Sequence, residues 1–288
     1  MLQPDEAYLE LLGRLLGDVD YYEVAPETLA WVGEDGGWRE NAYFRRFEAL
    51  ARDTGRPFVA HGVGLSLGTA APEDRARRRA ALAWATRCHR AFDFGWYTDH
   101  LGATSLAGQA VTLPIALPMT AYAAAATRRT LAAMQRVVPH VGVENSVAYF
   151  LLGDPLAEPA FLGRILRAPQ THLLLDLHNV HTMAENFGFD PQDYLARLDL
   201  SRVIEIHLSG GSYSDPAWLA SGRTLRLDGH DDAIPEQVFR LFEATWRRCP
   251  NLRGVTVERM EGTVTAGDVA GLQEEVRRTR VTLRGRAT

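Results

Sequence analysis

Residues 171–186 read THLLLDLHNVHTMAEN, an apolar run through Leu173, Leu174 and Leu175 that passes at once into Asp176, His178, Asn179 and His181. A short apolar run bounded by polar residues reads as a buried strand. Its polar close sets ionisable groups at the strand's C-terminal end. The arrangement recurs along the chain. DYYEVAPE (20–27), PFVAHGVG (57–64), FGWYTDHLG (94–102), HVGVENS (140–146), RVIEIHLSGG (202–211), TLRLDGH (224–230) and GVTVERME (254–261) are similar runs, so about eight strands are expected.

Most intervals carry helical patterning: 38–54, 72–91, 119–138, 158–168, 190–199, 234–249 and 267–281. Several open with Pro, Asp or Glu, as helix N-termini prefer. The stretch SYSDPAWLASGR before TLRLDGH reads as a loop instead. Strands alternating with helices imply right-handed βαβ units and a parallel sheet. Eight units close most simply into a (β/α)8 TIM barrel, here expected as a single domain over residues 1–288 with its site at the C-terminal strand ends. The competitor, a doubly wound open sheet, lacks its GxGxxG turn: HGVGLSLG has two glycines and no third in place.

Composition narrows the function. The chain has 288 residues, 46% hydrophobic and 23% charged, with a net charge of −5. That charge offers no basic footprint for nucleic acid. No apolar run reaches the roughly 18 residues of a membrane span, so a cytoplasmic protein without membrane partners is expected. Every basic side chain is Arg; the absence of Lys excludes Schiff-base, pyridoxal-phosphate and P-loop chemistry. Cys88 and Cys249 have no CxxC partner, which argues against a structural disulfide or thiolate metal site and for surface or core thiols.

Followed to its C-terminal end, each strand after the first delivers a His or a carboxylate: His61, His100, Glu144, Asp176, His207, Asp228 with His230, and Glu258. Side-chain alternation places Asp176 with His178, Glu205 with His207 and Asp228 with His230, and turns Leu173, Leu175 and Leu177 toward the helices. Off this pattern, His89, His140 and His172 read as capped or solvent-facing side chains rather than ligands. Converging carboxylates repel one another unless cations neutralise them. Imidazole and carboxylate without thiolate suit Fe, Mn, Zn or Co, and eight donors exceed the needs of one ion.

At these residues the chain resembles the DUF692 or MbnB-like multinuclear non-heme iron-dependent oxidases, in order, over roughly residues 18–265. DYYEVAPETL is similar to that family's first strand, with Glu23 and Glu27, and HGVGLSLG matches nearly letter for letter. TDHLG resembles S-[DE]-H-L with Thr98 in the Ser place, and VENSVAY resembles E-N-x-x-x-Y. LLLDLHNVHTMAENFGFD resembles L-L-D-x-N-N-x-x-x-x-x-x-N-x-G-x-D, EIHLSGG resembles E-I-H-L-A-G-H, DGHDDAI resembles D-T-H-D-x-x-V, and VERM resembles I-E-R-D.

The resemblance implies a xylose-isomerase-like barrel holding two or three irons of mixed Fe(II)/Fe(III) valence. Its ligands would be His61, His100, Glu144, Asp176, His207, Asp228, His230 and Glu258, with Asn179 beside them. Glu144, Asp176, Asn179 and His207 would carry the catalysis. It further implies O2 as co-substrate, a residue of a ribosomal precursor peptide (often Cys) as the target, and a separate partner protein that presents the peptide. The departures are His178 in an Asn place, His181 in an aromatic place, Gly211 in a His place and Met260 in an Asp place; the family's G-x-G-L-R stretch is also absent. A divalent-metal isomerase or hydrolase of the xylose-isomerase kind is the alternative. Asn145 and Glu205 are expected to tune the ligands. Arg223, Arg226 and Arg259 are candidates for gripping a substrate carboxylate, with solvated surface roles weighed against that. Trp31, Trp38 and Trp218 are expected to pack helices, with peptide docking as the other possibility.

Overall fold

A computed structural model describes residues 1–34, 37–106 and 109–285. The parallel strands are β1 (Tyr22–Val24), β2 (Phe58–Gly62), β3 (Tyr97–His100), β4 (Val141–Glu144), β5 (Thr171–Asp176), β6 (Val203–Leu208) and β7 (Gly254–Val257), in sheet order identical to chain order. Besides a single turn at Gly13–Leu16, the α-helices among the described residues are α1 (Glu6–Leu11), α2 (Ala42–Thr54), α3 (Arg75–Phe92), α4 (Ala121–Met134), α5 (Glu158–Ile165), α6 (Leu177–Phe187), α7 (Pro191–Arg197), α8 (Glu236–Thr245) and α9 (Val269–Arg284). Strand order equal to chain order, with helical crossovers, is the winding of the barrel class. No helix among the described residues is long and apolar enough to cross a membrane.

The chain divides into two compact units, one of Val19–Leu174 with Leu2, the other of Gln3–Asp18 and Leu175–Thr288 with Met1. In the first, β1 to β4 pair in parallel in register Tyr22↔Phe58, Ala60↔Tyr97 and Tyr97↔Val141. Its strands are buried on both faces because helices cover them, so they read as continuous apolar runs. Phe58 of β2 stacks on Phe92 of α3 at 5.1 Å, and Phe92 meets Phe44 of α2 at 5.2 Å, which fastens two crossover helices to the sheet. Helix α2 is delimited locally: the Asn41 side chain accepts from the amides of Tyr43 and Phe44, and Gly55 ends it at φ 62°. Gly142 lets β5 approach, since a Cβ there would lie 2.6 Å from the His172 carbonyl oxygen. In the second unit β6 and β7 pair in parallel, Glu205↔Gly254 to Leu208↔Val257.

Three expectations need correction. TLRLDGH is not an eighth strand: it makes one antiparallel bridge, Tyr213↔Arg226, with Ser214 N donating to Leu225 O and Leu227 N to Ser212 O. Strand alternation therefore does not govern Asp228 and His230. β5 also stops at Asp176, whose Oδ1 accepts the Asn179 amide at 2.6 Å and so starts α6 at Leu177. Asp176 and His178 thus stand on a strand end and a helix, and Leu177 is a helical residue. An unforeseen hairpin, Ala103–Leu106 with Gln109–Ile115, follows β3, and a second, Ala30–Val32 with Trp38–Glu40, follows β1.

Candidate metal centre

In the first unit, His61 is the next-to-last residue of β2, His100 closes β3 and Glu144 closes β4. One ligand atom of each lies within 4.8 Å of the others. His61 Nε2 is 3.2 Å and His100 Nε2 3.1 Å from the same oxygen, Glu144 Oε2. The opposite ring nitrogens are anchored. His100 Nδ1 meets the Gly62 carbonyl oxygen at 3.1 Å, and His61 Nδ1 meets Thr98 Oγ1 at 2.9 Å, whose hydroxyl turns to Ala60 O at 3.4 Å. A carbonyl only accepts, so the neutral His100 ring carries its hydrogen on Nδ1, and the Thr98 relay assigns the same tautomer to His61. Both Nε2 lone pairs then face a carboxylate. Acceptors converging on an acceptor, with His61 and Glu144 3% and 2% exposed, form a seat for a cation.

The second unit gathers five more predicted residues. Asp176, His230 and Glu258 again bring ligand atoms within 4.8 Å. His230 Nε2 is 2.8 Å from Asp228 Oδ1, and His207 Nδ1 is 2.9 Å from Glu258 Oε2. Burial opposes charge on the His230 ring, yet Asp228, Glu258 and Asp176 raise its pKa to about 10, which shows how strongly this pocket favours a positive charge. Burial likewise pushes Asp228 up, but His230 and His178 hold it well below the usual carboxylate range. His230 is fixed at φ 50°, a left-handed conformation that a non-glycine residue keeps only when its surroundings impose it. Glu205 takes the Thr256 hydroxyl at 2.8 Å and lies 3.9 Å from His207 Nε2, as alternation on β6 predicts. The donors present in both groups, imidazole nitrogen and carboxylate oxygen, fit iron or a neighbouring first-row divalent ion.

Asn179 is buried and gives its backbone amide to Asp176. His178 is buried with Nδ1 3.4 Å from Asp228 Oδ1, and burial lowers its pKa. His181 sits 3.6 Å from Glu185, and burial lowers its pKa to about 4. Off the site, His140 Nδ1 meets His172 Nε2 at 2.9 Å. Arg226 and Arg259 are buried rather than solvated, Arg259 on Glu275 at 3.2 Å, because each lies beside a strand end or bridge instead of on an outer helix face. Trp38 packs on Trp84, whereas Trp31 and Trp218 are exposed. Both thiols are free and buried.

Sequence reading missed the parts that hold the 62–65 turn. The Glu27 carboxylate accepts the Val63 amide at 2.5 Å, Asp99 Oδ2 accepts the Leu65 amide at 3.2 Å, and Arg77 donates to the carbonyls of Gly64 and Leu65. Burial raises the Asp99 pKa well above the usual range. In the sequence Thr98 has no role beyond the Ser place of a motif; its contact with His61 comes from the strand register His61↔Thr98.

Fold and site together define a parallel βα-barrel protein whose strand ends, with the 228–230 loop, carry two His-carboxylate groups. Residues 5–283 match the profile of the family described as RiPP precursor modification enzyme MbnB/TglH/ChrH, and the chain belongs to that family. A UPF0276 protein of Pseudomonas aeruginosa is 32% identical over 257 residues, 88% of this chain and 82% of the relative. A UPF0276 protein of Caulobacter vibrioides is 34% identical over 192 residues, covering 65% of this chain and just under two thirds, 64%, of the relative. Among solved structures, a xylose isomerase-like TIM barrel protein from Mycobacterium smegmatis in complex with magnesium aligns with TM-score 0.58 at 15% identity, over 97% of this chain and 91% of that one. Endonuclease IV from Thermus thermophilus aligns with TM-score 0.56 at 18% identity, over 97% and 94%. These likenesses establish the fold.

Proposed function

We propose that the protein is a multinuclear iron-dependent oxidase that uses O2 to modify a residue, often Cys, of a ribosomally made precursor peptide presented by a separate partner protein. The observation that carries this reading is the convergence of His61 Nε2 and His100 Nε2 on one Glu144 oxygen, at 3.2 and 3.1 Å, with both rings anchored through Nδ1. His61, His100 and Glu144 hold one ion; Asp176, His207, Asp228, His230 and Glu258 serve the second group, for two or three irons per chain. Bound iron supplies the one-electron steps by which O2 oxidises a peptide side chain. Thr98 and the Gly62 carbonyl, through the two Nδ1 atoms, would orient both rings with Nε2 toward the ion. Asn179 and the start of α6 fix Asp176, and Glu205 steadies His207. The buried setting of these donors keeps bulk water from the reacting side chain. Family membership supports a peptide substrate over the sugar of an isomerase.

The test is elemental analysis and EPR of anaerobically purified protein before and after O2. Two or three irons per chain with an O2-sensitive mixed-valence signal is the expected result. One or two zinc or manganese ions, indifferent to O2, would overturn the reading.

A further inference from the structure

Arg226 precedes Asp228 by two residues, and it is only 7% exposed. One of its terminal nitrogens lies 3.4 Å from His178 Nε2, and its guanidinium carbon stands 5.5 Å from the centroid of the Tyr213 ring. Its buried Nε has no hydrogen-bond partner among the described residues. Among those residues no carboxylate comes within 4.0 Å of the guanidinium, the reach of an ion pair. The other buried arginine of this unit differs: Arg259 rests on both oxygens of Glu275, at 3.2 and 3.3 Å. Glu185 takes the Tyr213 hydroxyl at 2.6 Å and lies 3.6 Å from His181. A guanidinium cannot shed its proton, so burying it without an anion is unfavourable unless an anion arrives.

The position is held on purpose-built contacts. Asn186 clamps both backbone groups of Arg226, its Oδ1 accepting the amide and its Nδ2 donating to the carbonyl, each at 2.9 Å. His178 bridges onward, its Nδ1 3.4 Å from Asp228 Oδ1. The ring has room because residue 211 is Gly: a Cβ there would fall 3.1 Å from His178 Cε1 and 2.1 Å from Leu227 O. Tyr213, half exposed, marks the open side.

We infer that Arg226 is the receptor for a carboxylate of the substrate, seated one imidazole ring from Asp228. The planar fork, with Nε and a terminal nitrogen on one edge, suits a carboxylate taken through two parallel hydrogen bonds. That the carboxylate belongs to the peptide rests on the proposed function, and it comes from a C-terminal α-carboxylate or an acidic side chain.

Calorimetric titration of the iron-loaded protein with N-acetylglycine, N-acetylaspartic acid α-amide and N-acetylglycinamide tests this. At least one acid is expected to bind tenfold or more tightly than the neutral amide, and which acid does so names the source. Arg226→Gln is expected to abolish the preference, and Arg253→Gln, at an exposed arginine away from this cluster, to retain it. Should Arg226→Gln fail to fold, Arg226→Lys, which keeps the charge without the fork, is expected to lose most of it. Equal binding of acids and amide, no binding of any probe, or a preference unchanged in the Arg226 variant overturns the inference. The titrations are repeated on metal-free protein: an Arg226-dependent preference there stands even if iron analysis refutes the oxidase, whereas loaded iron without the preference refutes Arg226 alone.

Discussion

Glu144→Gln removes one charge and almost no volume, so it isolates the electrostatic part of the first metal seat. Glu144 Oε2 lies 3.2 and 3.1 Å from the two Nε2 atoms, so an ion held by both rings sits well inside 4 Å of the carboxylate. At 4 Å and an effective dielectric of 20, a unit charge contributes about 4 kcal/mol per charge on its partner. The amide oxygen keeps part of this as a dipole. Since iron carries two or three charges, a net loss of at least about 3 kcal/mol, roughly a hundredfold or more in affinity, is therefore expected. The assay is iron retained per chain after dialysis against chelators of graded strength, with urea unfolding of the metal-free protein as control. Because the substitution relieves two lone pairs facing an anion, the metal-free variant should be no less stable than the parent. Unchanged iron retention, or lost iron explained entirely by lost stability, would refute the argument.

Thr98→Val keeps the shape but deletes the hydroxyl at 2.9 Å from His61 Nδ1; iron affinity should fall about 10- to 100-fold with the fold intact, read by the same dialysis. Asp74, nearly fully buried, receives Arg77 at 2.6 Å and Arg78 at 2.9 Å. Burial works to raise its pKa, but these arginines win and hold it below the ordinary value. A depressed carboxyl stabilises above the unfolded pKa of about 4 and loses that contribution as pH falls through the folded value. Asp74→Asn should thus cost about 2 kcal/mol in urea at pH 7 and progressively less in acid; a deficit independent of pH would contradict it. Burial raises the Cys249 pKa to about 11 and that of Cys88 further still, so a thiol reagent at pH 8 should label neither in the native protein and both in denaturant.

The fold was readable because strands such as Phe58–Gly62, Val141–Glu144 and Val203–Leu208 are buried along their whole length and so read as largely apolar runs. TLRLDGH deceived because it shares that composition, yet Arg226 and Asp228 in it serve polar contacts and its backbone makes a single bridge. The ligand candidates were readable from position, since strand ends gather His and carboxylates. Their partners were not. Thr98, Asp99 and Glu27 act on loops and rings brought close only by the sheet register, such as His61↔Thr98, and no spacing along the chain announces that. Arg226 is legible as a candidate for holding a carboxylate, but its burial is not: nothing local says which of 31 arginines is buried.

Asp176 ends β5 and caps α6 with the same side chain. That double duty shapes how the position can drift. Asn would still accept the Asn179 amide, so a lineage carrying it would keep its helix, its solubility and its expression level. Only the negative charge would vanish, and with it a donor beside His230 and Glu258. Decay of the chemistry at this position would therefore be invisible to any selection that sees folding alone, and a chain with Asn there would persist as a well-folded protein in search of another use.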